Sequence, residues 1–417
     1  MACAEGSPDE RSDPGPVPQA LAGLRVVECG EMVAAAYAAK LMADLGAQVV
    51  KVEPPQGDPA RQRGPFPGGT PDPEKSGLFL YLNLNKLGIT LDLRRKQGQE
   101  LLGRLAAWAD LLVHNYPPPL MAELGLDYQP LSAINPRLVM TSITRFGLTG
   151  PHRDYKGYEI TSAHSGGWAS LSPGALEDPE LPPLKAFGQQ ADFQAGVNAA
   201  IASLGALYAR LVSGQGQHID VSIQECIAAN LEASFVHWTY GGRVASRLGQ
   251  RMLGPWGMLQ CRDGLLFVVC VEEDQWQRFL EVLGNPEWGS WEVFGDRLQR
   301  AEKLDVLTPL MEEITRGWTV DALYQACQAR RVPAAPVATI ADLLASDHLQ
   351  ARGFFVQAHH PAAGTLTYPG APYKFGETPW QLRRPAPFLG QDNEEVYCGW
   401  LGLSTAELAA LRRQGLV

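Results

Sequence analysis

The chain has 417 residues, a formal net charge of −10, and 45% hydrophobic against 19% charged residues. That length allows two packed units with a sizeable core, and that composition excludes a wholly disordered chain. The acidic balance, with short basic groupings such as Arg94-Arg95-Lys96 isolated within it, argues against nucleic acid as a partner.

The opening MACAEGSPDERSDPGPVPQA is acidic, rich in Pro and Gly and without an apolar core, so residues 1–20 read as a loose leader. LRVVECG at 24–30 is a short β-branched run, AAAYAAKLMADLG a helix ending at Gly46, and AQVVKVE a second strand. A strand, helix, strand unit of this length implies a right-handed crossover between parallel strands.

The pattern repeats in ITLDL at 89–93, a helix at 97–109, DLLVHN at 110–115, a short helix around 128–134, and the strand within RLVMTSITRFG. The first third therefore predicts an open α/β layer with helices on both faces. From Gly196 a long apolar helix runs to the glycines at 214 and 216. HIDVS is then a brief strand, and IQECIAANLEASFVHW a second long helix.

GPWGMLQCRDGLLFVVCV predicts a hairpin turning at Arg262-Asp263-Gly264, followed by a mostly helical stretch over 274–330. The expected organisation is a large α/β domain over 21–224, a smaller one over 225–350, and a return to the large domain over 351–417. Its last element is a short helix capped by Thr405.

Seven cysteines are scattered without paired spacing and read as reduced packing residues of a cytoplasmic protein, the mitochondrial matrix being the other compartment that fits. Neither they nor the eight histidines show ligand spacing, so no metal is expected. No uninterrupted apolar stretch reads as long enough to span a bilayer, and no membrane partner is expected. The turn after the first strand, CGEMVAAAYAAK, lacks the G-x-G-x-x-G dinucleotide fingerprint, and the chain has neither a G-x-S-x-G elbow nor a P-loop.

Three polar constellations remain. KVEPPQGDPAR at 51–61 is either a solvated loop or a strand-end site around Gly57, Asp58 and Arg61. In NLNKLGITLDLR at 83–94, Asn83, Asn85, Lys86 and Arg94 suit either a phosphate or adenine site or an internal loop network. QQADFQAG at 189–196 places Asp192 a few residues ahead of the long helix, as a cap or as a carboxylate nucleophile. Tyr158 and Glu159 form a further polar island.

Together with LAGLRVVECG, MAELGLDYQPLSAINPRLV, LYARLVSGQGQHIDVSIQE and RRPAPFLGQDNEEV, these segments resemble the class III CoA-transferase family. That family includes formyl-CoA:oxalate and carnitine CoA-transferases and the α-methylacyl-CoA racemases. The resemblance runs from about residue 21 to the C-terminus and is weakest in the smaller domain.

The resemblance implies a Rossmann-like large domain built from both chain ends, a smaller middle domain, and an interlocked-ring homodimer. It implies coenzyme A and acyl-CoA as substrates, with no tightly bound cofactor, a carboxylic acid as the second substrate, and Asp192 as the nucleophile. An aspartyl anhydride and then an aspartyl-CoA thioester would form on it, succinyl-CoA being a frequent donor in the family.

For coenzyme A the matching positions are Leu91, Arg94, Asn115 and Tyr116. Arg61 stands as substitute for an arginine that relatives carry where this chain has Pro54. Glu123 stands where some relatives have arginine, and Val33 where oxalate-type enzymes have glutamine. Glu159 matches a glutamate beside the active site and is expected as a helper. The racemases' histidine falls in Gly157-Tyr158-Glu159, where tyrosine replaces it, although His164 follows nearby.

Racemisation of an acyl-CoA is the second expectation, and non-catalytic CoA binding the third. The apolar residues Trp238, Tyr240, Met252, Trp256 and Met258 suit either an acyl-group wall or a core. LGQRMLGPWG at 248–257 lies where relatives have a shielding loop but lacks its glycine run.

Overall fold

A computed structural model describes residues 18–172, 180–247 and 253–417. The leader, Met252 and the first half of the 248–257 segment therefore lie outside the described residues, apart from leader residues 18–20.

The β-branched runs become the strands of a six-stranded parallel sheet. In chain order the elements are β1 (Arg25–Cys29), α1 (Ala34–Asp44), β2 (Gln48–Glu53), α2 (Gly77–Leu82), β3 (Leu87–Thr90), α3 (Lys96–Trp108) and β4 (Leu111–His114). There follow α4 (Pro118–Leu124), α5 (Tyr128–Ile134), β5 (Val139–Thr144), α6 (Glu159–Ser165), α7 (Gln190–Ser213) and β6 (His218–Ser222). The strand order is β3-β2-β1-β4-β5-β6, so the chain reverses direction across the sheet between β1 and β4. In open α/β sheets that reversal opens a crevice at the carboxyl ends of the strands.

Because successive strand residues face opposite sides, Val26 and Val49 pack with α1 and α7, whereas Val27 and Val50 pack with α3 and the C-terminal segment. Both faces are covered, which is why these strands are mostly apolar and the charged residues within them, Glu28 and Lys51, are buried against each other.

The long helix starts six residues before its expected origin at Gly196. Asp192 therefore lies in its first turn, and the N-cap is Gln189, whose side chain makes no capping bond. Gly196 is required by packing, since a Cβ there would sit 2.9 Å from the Ala34 carbonyl oxygen and 3.1 Å from the Tyr37 ring.

Contrary to the sequence expectation, α7, at 24 residues, is long and apolar enough to cross a membrane. It nonetheless buries two charged residues against partners in the same unit: Asp192 on Arg145, and Arg210, which meets Asp110 at 3.1 Å. A single helix of this kind is weak evidence of a span, since the core helix of a globular protein has the same length and composition.

The helix expected over IQECIAANLEASFVHW is broken into α8 (Ile223–Ala228) and α9 (Glu232–Gly241). Asn230 donates its side-chain amide to the Cys226 carbonyl at 2.9 Å, a local bond that competes with helix continuation.

The first compact unit includes α8 and α9 and extends to Val244, where the sequence boundary was drawn at 225; it resumes at Gly353. The described part of the second unit contains β7 (Trp256–Gln260), β8 (Leu265–Val269), α10 (Glu273–Val282), α11 (Arg297–Glu302), α12 (Leu304–Thr315), α13 (Val320–Ala329), β9 (Ala334–Pro336), α14 (Ile340–Ala345) and α15 (Asp347–Ala351). Its antiparallel β7-β8-β9 sheet turns at Arg262-Asp263-Gly264 as expected, over a core around Trp276, Phe279 and Leu307.

Back in the first unit, β10 (Phe355–His360) and β11 (Gly364–Pro369) form a hairpin, and α16 (Thr405–Arg413) closes the chain. The cap of α16 is Ser404 in place of Thr405; its hydroxyl and Glu407 form a reciprocal capping box. The QDN segment stitches the edge strand β3: Asp392 accepts the Gly88 amide at 2.7 Å and Asn393 the Thr90 amide at 2.9 Å. Edge amides that would otherwise be open are thereby satisfied, and the start of the loop bearing Leu91 is fixed.

Candidate active site

Two cavities open at the carboxyl ends of the strands. A smaller one of about 200 Å³ is bounded by the segments after β2 and β3 and includes Pro54, Leu91, Arg94 and Tyr116. A larger one of about 520 Å³ lies beside β1, β4 and β5 and includes Met32, Asn115, Arg145, Arg153, Lys156 and Tyr158. Glu31 and Tyr116 border both.

The loop between β1 and α1 is held tightly. Asn115 accepts the Glu31 amide at 2.8 Å and donates to the Glu31 carbonyl at 2.7 Å, so both ends of its side-chain amide are engaged with the backbone. Met32 adopts a left-handed φ of 60°, and its amide donates to Asp58 at 3.0 Å. Such a conformation costs about 1–3 kcal/mol and persists because the surrounding bonds hold it. Burial, then the charge of Asp58, raise the Glu31 carboxyl above its usual range, against Lys51 and Arg94.

Beneath this loop lies a dry ion network. Lys51 meets Glu28 at 2.9 Å and Asp58 at 2.8 Å, and Lys86 meets Glu28 at 2.8 Å while donating to the Ala36 carbonyl and to Asn83. Asn85 bonds Asp44 and the Gln381 carbonyl. Of the two sequence readings of 83–94, the internal network therefore holds for Asn83, Asn85 and Lys86. Arg94 alone of that group is exposed and on a cavity wall.

Arg61 requires a correction. It is 1% exposed, bonds Glu53 at 2.7 and 2.8 Å and Glu74 at 2.7 Å, and lies 3.7 Å over the Phe79 ring. With its guanidinium also donating to the Pro387 carbonyl, it borders neither cavity. Glu123 is exposed and also borders neither, and Val33 is buried in the core.

Asp192 is 2% exposed and is not itself on a cavity wall. Its carboxylate is gripped by Arg145, which follows β5 and does border the larger cavity: Nη1 reaches Oδ1, and Nη2 lies 3.3 Å from Oδ2. Burial is the largest influence on Asp192 and raises its pKa; Arg145 and Lys185 oppose that rise, Glu159 adds to it, and the outcome is a raised value.

Glu159, 6% exposed, accepts the Ala191 amide at 3.2 Å through one oxygen and meets Lys185 at 2.8 Å through the other. The structure thus brings Asp192 and Glu159 to the same helix start, while Leu91, Arg94, Asn115 and Tyr116 stand on the cavity walls. Tyr158 is 76% exposed, and His164 is exposed with Nδ1 against the Ile160 carbonyl at 2.7 Å.

Sequence reasoning missed Arg145, Lys185 and Glu31. The TRFG turn after a strand of a doubly wound sheet carried the signal for Arg145, since ligand-facing residues concentrate at such ends. Chemically, a desolvated carboxylate at a helix start has the elements of covalent carboxylate catalysis. Among the described residues no group of histidine, cysteine and carboxylate side chains could hold a metal ion.

Comparison with known proteins gives the family. The model of CoA-transferase family III matches residues 21–393. The chain is 35% identical to succinyl-CoA:(R)-benzylsuccinate CoA-transferase subunit BbsE of Thauera aromatica, over 91% of this chain and 94% of that one. It is 31% identical to succinyl-CoA–D-citramalate CoA-transferase of Chloroflexus aurantiacus, over 96% and 98%. A crystal structure of a CAIB/BAIF family protein from Brucella suis superposes with a TM-score of 0.83 at 31% identity, over 94% and 99%.

The chain belongs to CoA-transferase family III. It is a class III CoA-transferase, moving coenzyme A between an acyl-CoA donor and a carboxylic acid acceptor.

Proposed function

We propose that Asp192 is the nucleophile of this transfer and that the donor is a dicarboxylic acyl-CoA, succinyl-CoA first among them. One carboxylate oxygen attacks the thioester carbonyl, the C–S bond breaks, and a mixed anhydride and coenzyme A thiolate result. The thiolate attacks the aspartyl carbonyl of the anhydride, releasing the donor acid and leaving an aspartyl-CoA thioester. The acceptor carboxylate then repeats both steps in reverse. Each intermediate stays activated only where water is excluded.

The observation that carries this reading is a carboxylate buried to 2% in the first turn of α7 and paired with Arg145, which borders a cavity of about 520 Å³. Succinyl-CoA is supported by the names of the relatives from Thauera and Chloroflexus. For coenzyme A itself, Arg94, Leu91 and Tyr116 on the smaller cavity are the proposed contacts, and Asn115 shapes the intervening loop. Glu159 holds the helix start that presents Asp192.

A homodimer belongs to the same proposal. It is supported by large apolar side chains left bare on α7 and α9, among them Leu211 at 73%, Val212 at 90% and Tyr240 at 89% exposed. Sedimentation velocity at micromolar concentration tests it, a dimer being expected. A cytoplasm-like, reducing compartment is supported by free cysteines among the described residues, five of them buried.

The catalytic proposal is tested by a transfer assay with succinyl-CoA and a panel of carboxylic acids. Asp192→Asn is expected to lower kcat by at least about a thousandfold. An Asn variant with near-normal turnover would overturn it.

A further inference from the structure

We propose that Arg145 is the binding residue for the reacting acid's carboxylate, exchanging Asp192 for that carboxylate during each half of the reaction. This inference rests on Asp192 being the nucleophile.

Arg145 borders the larger cavity and Asp192 does not, yet the guanidinium lies on the Asp192 carboxylate through both of its terminal nitrogens. The Arg145 side chain retains 25% exposure, against 2% for Asp192. A thioester carbonyl entering from this cavity therefore meets the arginine before it meets the nucleophile. Gly157, on the same wall, lets the arginine stem pack closely, since a Cβ there would sit 3.2 Å from Arg145 Cγ.

Charge bookkeeping gives the direction of the exchange. At rest the guanidinium and the carboxylate neutralise one another. Once Asp192 is acylated, its side chain is a neutral anhydride or thioester, and Arg145 is left as an unpaired cation facing the cavity. A planar guanidinium in that state takes a carboxylate bidentately.

The incoming acid is so drawn to the atom it must attack. One carboxylate oxygen bonds to the aspartyl carbonyl carbon, the C–S bond breaks, and the coenzyme A thiolate departs. The thiolate next attacks the acid's carbonyl carbon, and the anhydride C–O bond breaks. Both electrons of that bond return to Asp192, whose carboxylate recovers its pair with Arg145.

Isotope exchange tests this without knowledge of the natural acceptor. The full-length enzyme is incubated with succinyl-CoA and ¹³C-labelled succinate, and label entering the thioester is measured by mass spectrometry. If another acyl-CoA is the one that labels Asp192 in the wild type, that thioester and its own labelled acid are used.

For Arg145→Gln, the half-saturating acid concentration is expected to rise about 10- to 100-fold, the range of a lost charged hydrogen bond. The value for the thioester should change less than about threefold. Arg145→Lys should fall between, because it keeps the charge and loses the fork.

The charged groups facing Asp192 are Arg145, Glu159 of α6 and Lys185 before α7, and Arg145 opposes the rise in the Asp192 pKa. The acid limb of exchange should therefore move to higher pH in Arg145→Gln. If that variant fails to fold by circular dichroism, the lysine variant decides on the same readout.

An unchanged acid dependence in a folded variant that still forms the Asp192 adduct would overturn the inference alone. A wild-type enzyme that forms no adduct at Asp192 would overturn both this and the nucleophile proposal.

Discussion

Glu159 accepts the backbone amide of Ala191 at 3.2 Å, tying α6 to the residue immediately before Asp192. Its second oxygen faces Lys185 at 2.8 Å, so one carboxylate anchors the helix start and neutralises a nearby cation. Its negative charge also adds to the raised pKa of Asp192. Glu159→Gln should therefore move the acid limb of kcat to lower pH, with a drop in kcat of about tenfold from the loosened helix start. A pH–rate series on both proteins measures this; an acid limb shifted upward would contradict it.

Arg61 separates a structural from a ligand-binding role. Its removal leaves Glu53 buried at 0% exposure without its partner, a loss of about 3–5 kcal/mol by comparison with other broken buried pairs. Arg61→Ala should lower the urea midpoint strongly, and protein that remains folded should keep its KM for acyl-CoA. A selective rise in that KM with unchanged stability would restore the sequence expectation of a coenzyme A contact.

Arg94 is the opposite case, exposed on the wall of the smaller cavity. Arg94→Gln should raise KM for acyl-CoA about three- to tenfold at low salt, and less at high salt, where exposed charges are screened. Unfolding midpoints should match the wild type. Steady-state kinetics at two ionic strengths checks both halves.

His114 is buried, its Nε2 2.7 Å from the Ser142 hydroxyl, and burial then His218 push its pKa down to about 3. The unfolded chain takes up a proton near pH 6.5, while the folded chain does not until about 3. This contribution to stability is therefore full above 6.5 and falls away as pH is lowered towards 3. Denaturant unfolding from pH 7 to 4 should show a shallower loss in His114→Gln than in the wild type.

The sheet was legible because β1, β2, β4 and β5 are apolar runs buried on both faces, and their crossovers are short enough to read as single units. What escaped was non-local or competitive. The α7 origin was misplaced because Gln190 to Ala195 look polar and ambiguous until Glu159, far back in the chain, accepts the Ala191 amide. The break before α9 turns on the Asn230 side chain bonding the Cys226 carbonyl, a bond that periodicity does not register.

At the site, Asp192 and Glu159 are singled out by the family resemblance, whereas the strand-end turn places Arg145 at the crevice without naming its partner Asp192, 47 positions away. Arg61 was misjudged for a related reason. A cation in a polar turn reads as available until Glu53 and Glu74 are seen to close on it.

Covalent chemistry at Asp192 is read by intact-protein mass spectrometry after mixing the enzyme with succinyl-CoA and other acyl-CoAs, with hydroxylamine trapping and Asp192→Asn alongside. A coenzyme A-sized adduct or hydroxamate that maps to Asp192 and is missing from the variant is the expected result. No adduct from any thioester, or one that persists in Asp192→Asn, would contradict it.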